Sequence, residues 1–219
     1  MLTLEQRAEL VVTDAWRRLP PIKRQASIAA IVLEDIGAKH GSFAPDGILT
    51  LSTRLFEGTN AAQIRMIDVN GNDPPLCEPC ASRALGTTIH EMAHAIGMAT
   101  GLDDTSEWLR LSGWCLSDDD PQGTARYWES RPGWFPHGPS SWRHRTGVFF
   151  CRDYSRKSPS EDFGDAVAYI ALGWEQYFLG ASGQAKLAYL RSEVWGENGA
   201  RAIVAARQRW KKRLTGVGA

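Results

Sequence analysis

The run Thr87-Thr88-Ile89-His90-Glu91-Met92-Ala93-His94-Ala95-Ile96-Gly97 contains one intact HExxH, and the rest of the chain is read outward from it. Residues four apart stack on one face of a helix, so His90 and His94 both present a ring nitrogen to one metal ion. Glu91 lies one position round, where its carboxylate reaches a metal-bound water rather than the metal. Metal-assisted hydrolysis needs that arrangement. Three fixed residues also arise by chance in helices that bind nothing, with the two His solvated or packed. The flanks argue against chance. Thr88, Ile89, Met92, Ala93, Ala95 and Ile96 are small or apolar, so the helix is expected to be buried. Two imidazoles and a carboxylate are costly to bury unless they are paired or bound to metal.

Two His hold a catalytic zinc poorly; three protein ligands and one open position are usual. An HExxHxxGxxH pattern would supply a third His, but Thr100 stands at that place although Gly97 is present. Asp103 and Asp104 follow soon after, in what reads as an exposed acidic loop, and stay as alternatives. His137 and His144 read as surface histidines of a Trp-rich loop. A better source is Ser160-Glu161-Asp162-Phe163-Gly164-Asp165-Ala166-Val167-Ala168-Tyr169. Glu161 and Asp165 stand four apart at the start of an apolar helix, so both can point to one side. Glu161 would then ligate zinc, while Asp165 accepts a hydrogen bond from the far ring nitrogen of a ligand His and fixes its tautomer. A competing reading makes Glu161 and Asp162 an acidic cluster that favours the helix dipole, with Ser160 as N-cap. It leaves Asp165 unexplained.

His90-Glu91-x-x-His94 followed by Glu161-x-x-x-Asp165 is similar to the gluzincins, the thermolysin-like zinc peptidases. The closer resemblance is to the anthrax lethal factor-like catalytic domain family and its bacterial and phage relatives. Those sequences read Tyr, a short polar run with Asn-Pro, then Glu-Asp-Phe-Ala-Glu. Here the stretch is Asp153-Tyr154-Ser155-Arg156-Lys157-Ser158-Pro159-Ser160-Glu161-Asp162-Phe163-Gly164-Asp165, with the same interval from Tyr154 to Glu161. The resemblance covers about residues 85–170. It implies one zinc ion held by His90, His94 and Glu161, Glu91 as general base and Tyr154 as the hydroxyl that steadies the oxyanion. It also implies a peptide or protein substrate. Gly164 replaces the usual Ala, Asp165 the usual Glu, and Ser158 stands in place of Asn, a change expected to alter only the loop.

Length and pattern set the frame. The chain has 219 residues, enough for the single α+β, zincin-like domain that the resemblance implies. Residues 1–101 would hold a small mixed sheet packed on the metal helix. Residues 102–150 would form a Trp-rich loop segment, and 151–219 the third-ligand helix and a C-terminal helix. Residues 3–19 place Leu4, Ala8, Val11, Val12, Ala15 and Leu19 at helical spacing, stopped by Pro20-Pro21. Ser27 to Leu33 reads as a buried strand, and Gly41-Ser42-Phe43 with Asp46-Gly47 reads as a turn signal before a strand over Ile48–Ser52. That second strand either lies along the cleft, where a substrate backbone can pair with it, or is an ordinary sheet strand. The metal helix is expected from about Ala81 to Ile96, capped by Gly97 or Gly101. Trp108, Trp114, Trp128, Trp134 and Trp142 either line a cleft or, the preferred reading, provide a core for a segment with little regular structure. From Glu161 onward the pattern is helical, with Gly180 to Gly183 between two helices.

Charges balance at 25 against 25, so neither nucleic acid nor an anionic membrane is an expected partner. The basic end (Arg207, Arg209, Lys211, Lys212, Arg213) reads as the solvated face of a terminal helix. No 18-residue apolar run exists, and the start lacks a Sec-type leader pattern, so a cytoplasmic location is the default expectation. Of four cysteines, Cys77 and Cys80 form a CxxC. With Cys115 and Cys151 they could hold a structural metal or a disulfide, or be plain loop cysteines. Oligomeric state stays open. Two other functions also stay open: a zinc-bearing binding or structural component with little proteolysis, and a hydrolase of non-protein amide bonds such as cell-wall cross-links.

Overall fold

The computed structural model describes residues 3–20, 28–57, 83–116, 142–145 and 147–196. Helix α1 spans Leu4–Arg18, as the spacing predicted. Its start is fixed by a capping box: Thr3 Oγ1 accepts from Gln6 N–H at 3.2 Å, and Gln6 Oε1 accepts from Thr3 N–H at 2.9 Å. Three strands follow: β1 (Ala30–Glu34), β2 (Gly41–Phe43) and β3 (Ile48–Ser52), in the order β1-β3-β2. β1 runs parallel to β3 and β2 antiparallel to it, so the sheet is mixed. The β2–β3 connection turns at Gly47, whose φ of 85° suits glycine, and Asp46 Oδ1 accepts from Ile48 N–H at 3.1 Å.

Three expectations are decided here. Gly41–Phe43, read as part of a turn signal, is itself the strand β2, because its backbone pairs antiparallel with β3. β1 is half-exposed rather than buried, and among the described residues it is an edge strand with a partner on one side only. β3 is the central strand, paired on both sides, so it offers no free edge to a substrate. Its Leu49 and Leu51 instead turn fully into the core.

Helix α2 runs Arg83–Thr100, longer than expected, passing through Gly97 to end at Gly101 in a left-handed conformation (φ 68°). After a 3-10 turn at Leu102–Asp104 come α3 (Ser106–Ser112) and a two-stranded ladder of β4 (Trp114–Leu116) with β5 (Trp142–His144). The described part of the Trp-rich segment therefore has regular structure. Trp108 and Trp114 are buried, in line with a packing role, while Trp128, Trp134 and His137 lie outside the described residues. His144 is no free surface histidine: it packs against Trp114 and Phe150 at ring-centroid distances of 5.2 and 4.7 Å.

A 3-10 segment, Asp153–Lys157, leads into α4 (Pro159–Leu172). The N-cap of α4 is Ser158, whose Oγ accepts from Glu161 N–H at 3.2 Å, and not Ser160. Ser158 thus does more than alter a loop. Gly173, at φ 78°, ends the helix. The next helix, α5 (Gly180–Leu190), starts at Gly180 and contains Gly183, so these glycines open a helix rather than separate two. A π turn, Arg191–Trp195, continues it.

α2 and α4 lie against each other through the middle of the core, with α1 and the sheet around α2 and with α3 and α5 on the α4 side. The result is an α+β fold of five α-helices and a small mixed sheet among the described residues. Asp162 helps lock α4 in place. Far from an exposed dipole partner, its fully buried carboxylate accepts from Lys186 Nζ at 2.8 Å and from Trp114 Nε1 at 3.2 Å. Removing one member of such a pair costs about 3–5 kcal/mol, since the other charge is left buried alone. No helix among the described residues is long and apolar enough to cross a membrane.

Candidate metal centre

The α2–α4 contact places His90, His94 and Glu161 together. His90 Nε2 is 2.9 Å from Glu161 Oε2 and 3.0 Å from His94 Nε2, and His94 Nε2 is 3.4 Å from Glu161 Oε2. These are the only three described residues whose donor atoms gather closely enough to share a metal ion. A triangle with those edges leaves a point about 2.0–2.1 Å from all three corners, the distance zinc keeps from imidazole nitrogen and carboxylate oxygen.

Hydrogen bonds on the far side of each ring set the chemistry. His94 Nδ1 is bonded to Ser160 Oγ at 2.9 Å, and His90 Nδ1 is 2.8 Å from Asp165 Oδ1, off the line of an ideal N–H donor. With a proton on each Nδ1, both Nε2 lone pairs turn towards the Glu161 carboxylate. Three converging lone pairs repel one another unless a cation sits among them, and a proton or a metal ion can be that cation. His90 shows the demand. Burial alone would lower its pKa, but the charge and hydrogen bonding of Asp165, together with Glu161, raise it to about 10. Burial would raise the Glu161 pKa, yet hydrogen bonds to His90 and His94 hold it down at about 2. The donor set therefore fits a divalent metal.

Glu91 is buried next to this cluster. Burial raises its carboxyl pKa, with His90 and His94 pulling the other way and Glu161 and Asp165 adding to the rise. It is roofed by β2: a Cβ added at Gly41 would come within 2.8 Å of Glu91 Cγ, so only glycine lets the strand pass this close. β2 and the residues before it, Ala38 to His40, line the cleft that opens over the cluster, while β3 is the ordinary sheet strand of its two alternatives. Tyr154 lines the same cleft and donates from its hydroxyl to Glu161 Oε1 at 3.2 Å. Burial and the Glu161 charge push its phenol well above the usual range, so it stays a donor at neutral and alkaline pH.

Asp165 is fully buried and its carboxylate is shared. Ser155 Oγ donates to it at 2.7 Å, Arg152 Nε at 2.8 Å, and Arg152 Nη2 also bonds it. Burial alone would raise the Asp165 pKa, but His90 and Arg152 hold it far below the usual carboxylate range.

All six residues expected at the site, His90, Glu91, His94, Tyr154, Glu161 and Asp165, line one cleft. Asp103 reaches its edge with the carboxylate against Gly97, outside the ligand triangle. Asp104 is part of the same 3-10 turn. Thr100 bonds back to the Ile96 carbonyl at 2.7 Å. Cys151 is a free, buried thiol, which burial pushes well above its ordinary pKa. Cys115 lies in β4, and Cys77 and Cys80 are outside the described residues. The sequence reading missed Gly41, Arg152, Ser155, Ser160 as a His94 partner, and Gly164. Ser160 adjoins Glu161 and was within reach of inference; Arg152 and Ser155 sit in irregular backbone where no periodicity marks a face.

No family model, curated protein or solved structure matches the chain.

Proposed function

We propose that this chain is a zinc-dependent metallopeptidase of the gluzincin type, with a zincin-like fold and a peptide or protein substrate. The observation that carries the proposal is the convergence of His90 Nε2, His94 Nε2 and Glu161 Oε2 beside Glu91 and the Tyr154 hydroxyl. His90, His94 and Glu161 would hold the ion. Bound zinc supplies Lewis acidity, making water a nucleophile near neutral pH and polarising the scissile carbonyl.

The chain's own groups do the rest. Glu91, with its proton affinity raised by burial, takes a proton from the attacking water and passes it to the leaving amine. Tyr154 turns its hydroxyl from Glu161 to the carbonyl oxygen as negative charge grows there. Asp165 and Ser160 hold the rings of His90 and His94 with their Nε2 atoms towards the cleft.

The test is metal analysis of the purified protein together with cleavage of a mixed peptide library. One equivalent of zinc and cut peptides are expected, and Glu91→Gln should keep the zinc and lose turnover. Zinc without cleavage of any peptide points instead to a binding component or to a non-peptide amide substrate. Full activity in Glu91→Gln would sink the mechanism.

A further inference from the structure

Gly164 sits inside α4, fully buried and with ordinary helical backbone, so no left-handed conformation calls for glycine there. In a helix interior glycine is less stable than alanine because it loses more freedom on folding. Space is the remaining reason. A Cβ at 164 would lie 2.9 Å from His90 Cε1, 3.0 Å from Nδ1 and 3.3 Å from Nε2. The imidazole thus rests directly on the α4 backbone. Both of its nitrogens are engaged there, Nε2 with Glu161 and His94 and Nδ1 with Asp165, so any shift of the ring disturbs these contacts.

Asp165 is equally constrained. Its carboxylate is clasped by Arg152 and Ser155, and a short side chain spans the 2.8 Å to Nδ1 only because the ring lies this close to the helix. Were the ring to move outward by the thickness of a methyl group, the aspartate would no longer reach it.

We propose that Gly164 and Asp165 are one positioning unit for His90. The absent Cβ admits the ring to the helix surface, and the short carboxylate then fixes its tautomer and direction. The proposal rests on the reading of His90 as a metal ligand. Neither residue touches substrate; both act through the ring.

The geometry makes an unusual prediction about paired substitutions. Gly164→Ala should lift the ring off α4 and break its contact with Asp165. Asp165→Glu should fail as well, because the longer side chain overshoots a ring held against the helix. Combined, the two changes compensate: the added methylene follows the displaced ring. Zinc affinity, measured by competition with a chromophoric chelator, should fall about 10–100-fold in each single variant, the usual loss when a ligand His is deprived of its partner. It should recover to within a few-fold of the parent in Gly164→Ala/Asp165→Glu. The visible spectrum of the Co²⁺-loaded proteins should be distorted in the singles and restored in the double.

Melting of the metal-free proteins separates positioning from packing. If Gly164→Ala lowers stability but binds zinc like the parent, the proposal is wrong. It is also wrong if the losses in the double variant simply add. Should Gly164→Ala not fold, Asp165→Glu alone decides: parental zinc affinity in that variant overturns the coupling. A parent protein that binds no zinc would fail the metal reading itself, a result distinct from all of these.

Discussion

His90 and His94 are the same residue type one helical turn apart, yet they occupy different halves of the site. His90 is sealed between α2 and α4, with Asp165, Arg152, Ser155 and Gly164 behind it. His94 is partly open to the cleft and has one hydroxyl, Ser160, as its support. The inner half is a buried ionic lattice in which each carboxylate oxygen is spoken for, and the outer half ends in Tyr154 and solvent. Rigidity and access are therefore divided between two histidines rather than compromised in both. On the proposed function, the ion would be fixed from the His90 side and approached from the His94 side.

Tyr154→Phe probes the outer half and carries the largest expected effect. Loss of an oxyanion donor typically lowers kcat about 10²–10³-fold. Zinc affinity should stay within a few-fold of the parent, since the hydroxyl bonds Glu161 Oε1 and not the Oε2 that faces the two His. If rate and affinity fall together, Tyr154 serves to hold Glu161 and the outer half is structural too.

Zinc competition in Asp165→Asn and Ser160→Ala compares the halves directly. Asp165→Asn should weaken zinc by about 10–100-fold, because it both disturbs His90 and strips Arg152 of its counter-charge. Ser160→Ala should cost only a few-fold, as water can replace its hydroxyl beside a half-open ring. Equal losses would erase the distinction between inner and outer ligand.

The smallest effect lies in pH. In metal-free protein the His90 pKa stands at about 10, above the ordinary 6.5, so between those values the folded state holds a proton that the unfolded chain has released. Stability from this group is complete below about pH 6.5 and is lost as pH rises through about 10. On the proposed function zinc would replace that proton, so the melting temperature of zinc-loaded protein should lack this alkaline decline. An equal decline in both forms would mean that the charge on His90 is not what the ion displaces.

The legible part of the site is the part carried by regular helices. His90, Glu91 and His94 share α2, and Glu161 and Asp165 share α4, where a four-residue interval fixes direction before any tertiary contact forms. Helix α1 was likewise readable from its apolar spacing and the Pro20-Pro21 stop. What escaped lies in irregular backbone or in missing atoms. Arg152 and Ser155 reach Asp165 from a bend and a 3-10 turn. Gly41 and Gly164 matter for what they leave empty, and an absent Cβ has no periodicity. Gly164 and Asp165, adjacent in α4, both lie against the His90 ring.

Strand roles were illegible for a related reason. Ile48–Ser52 has the alternation of a strand, but alternation fixes only which residues share a face, not which neighbours pair at the edges. The parallel partner β1 came from the residues before it and made β3 central, leaving β2 to roof Glu91. By itself the sequence determined the candidate ligand types, their spacing and the two helices that carry them, since helical geometry is local. Tertiary structure alone decided that the two helices meet face to face, that β2 lines the cleft, and that His90 is buried while His94 opens to it. Those outcomes depend on which surfaces the whole chain can bury together, a property no single segment contains.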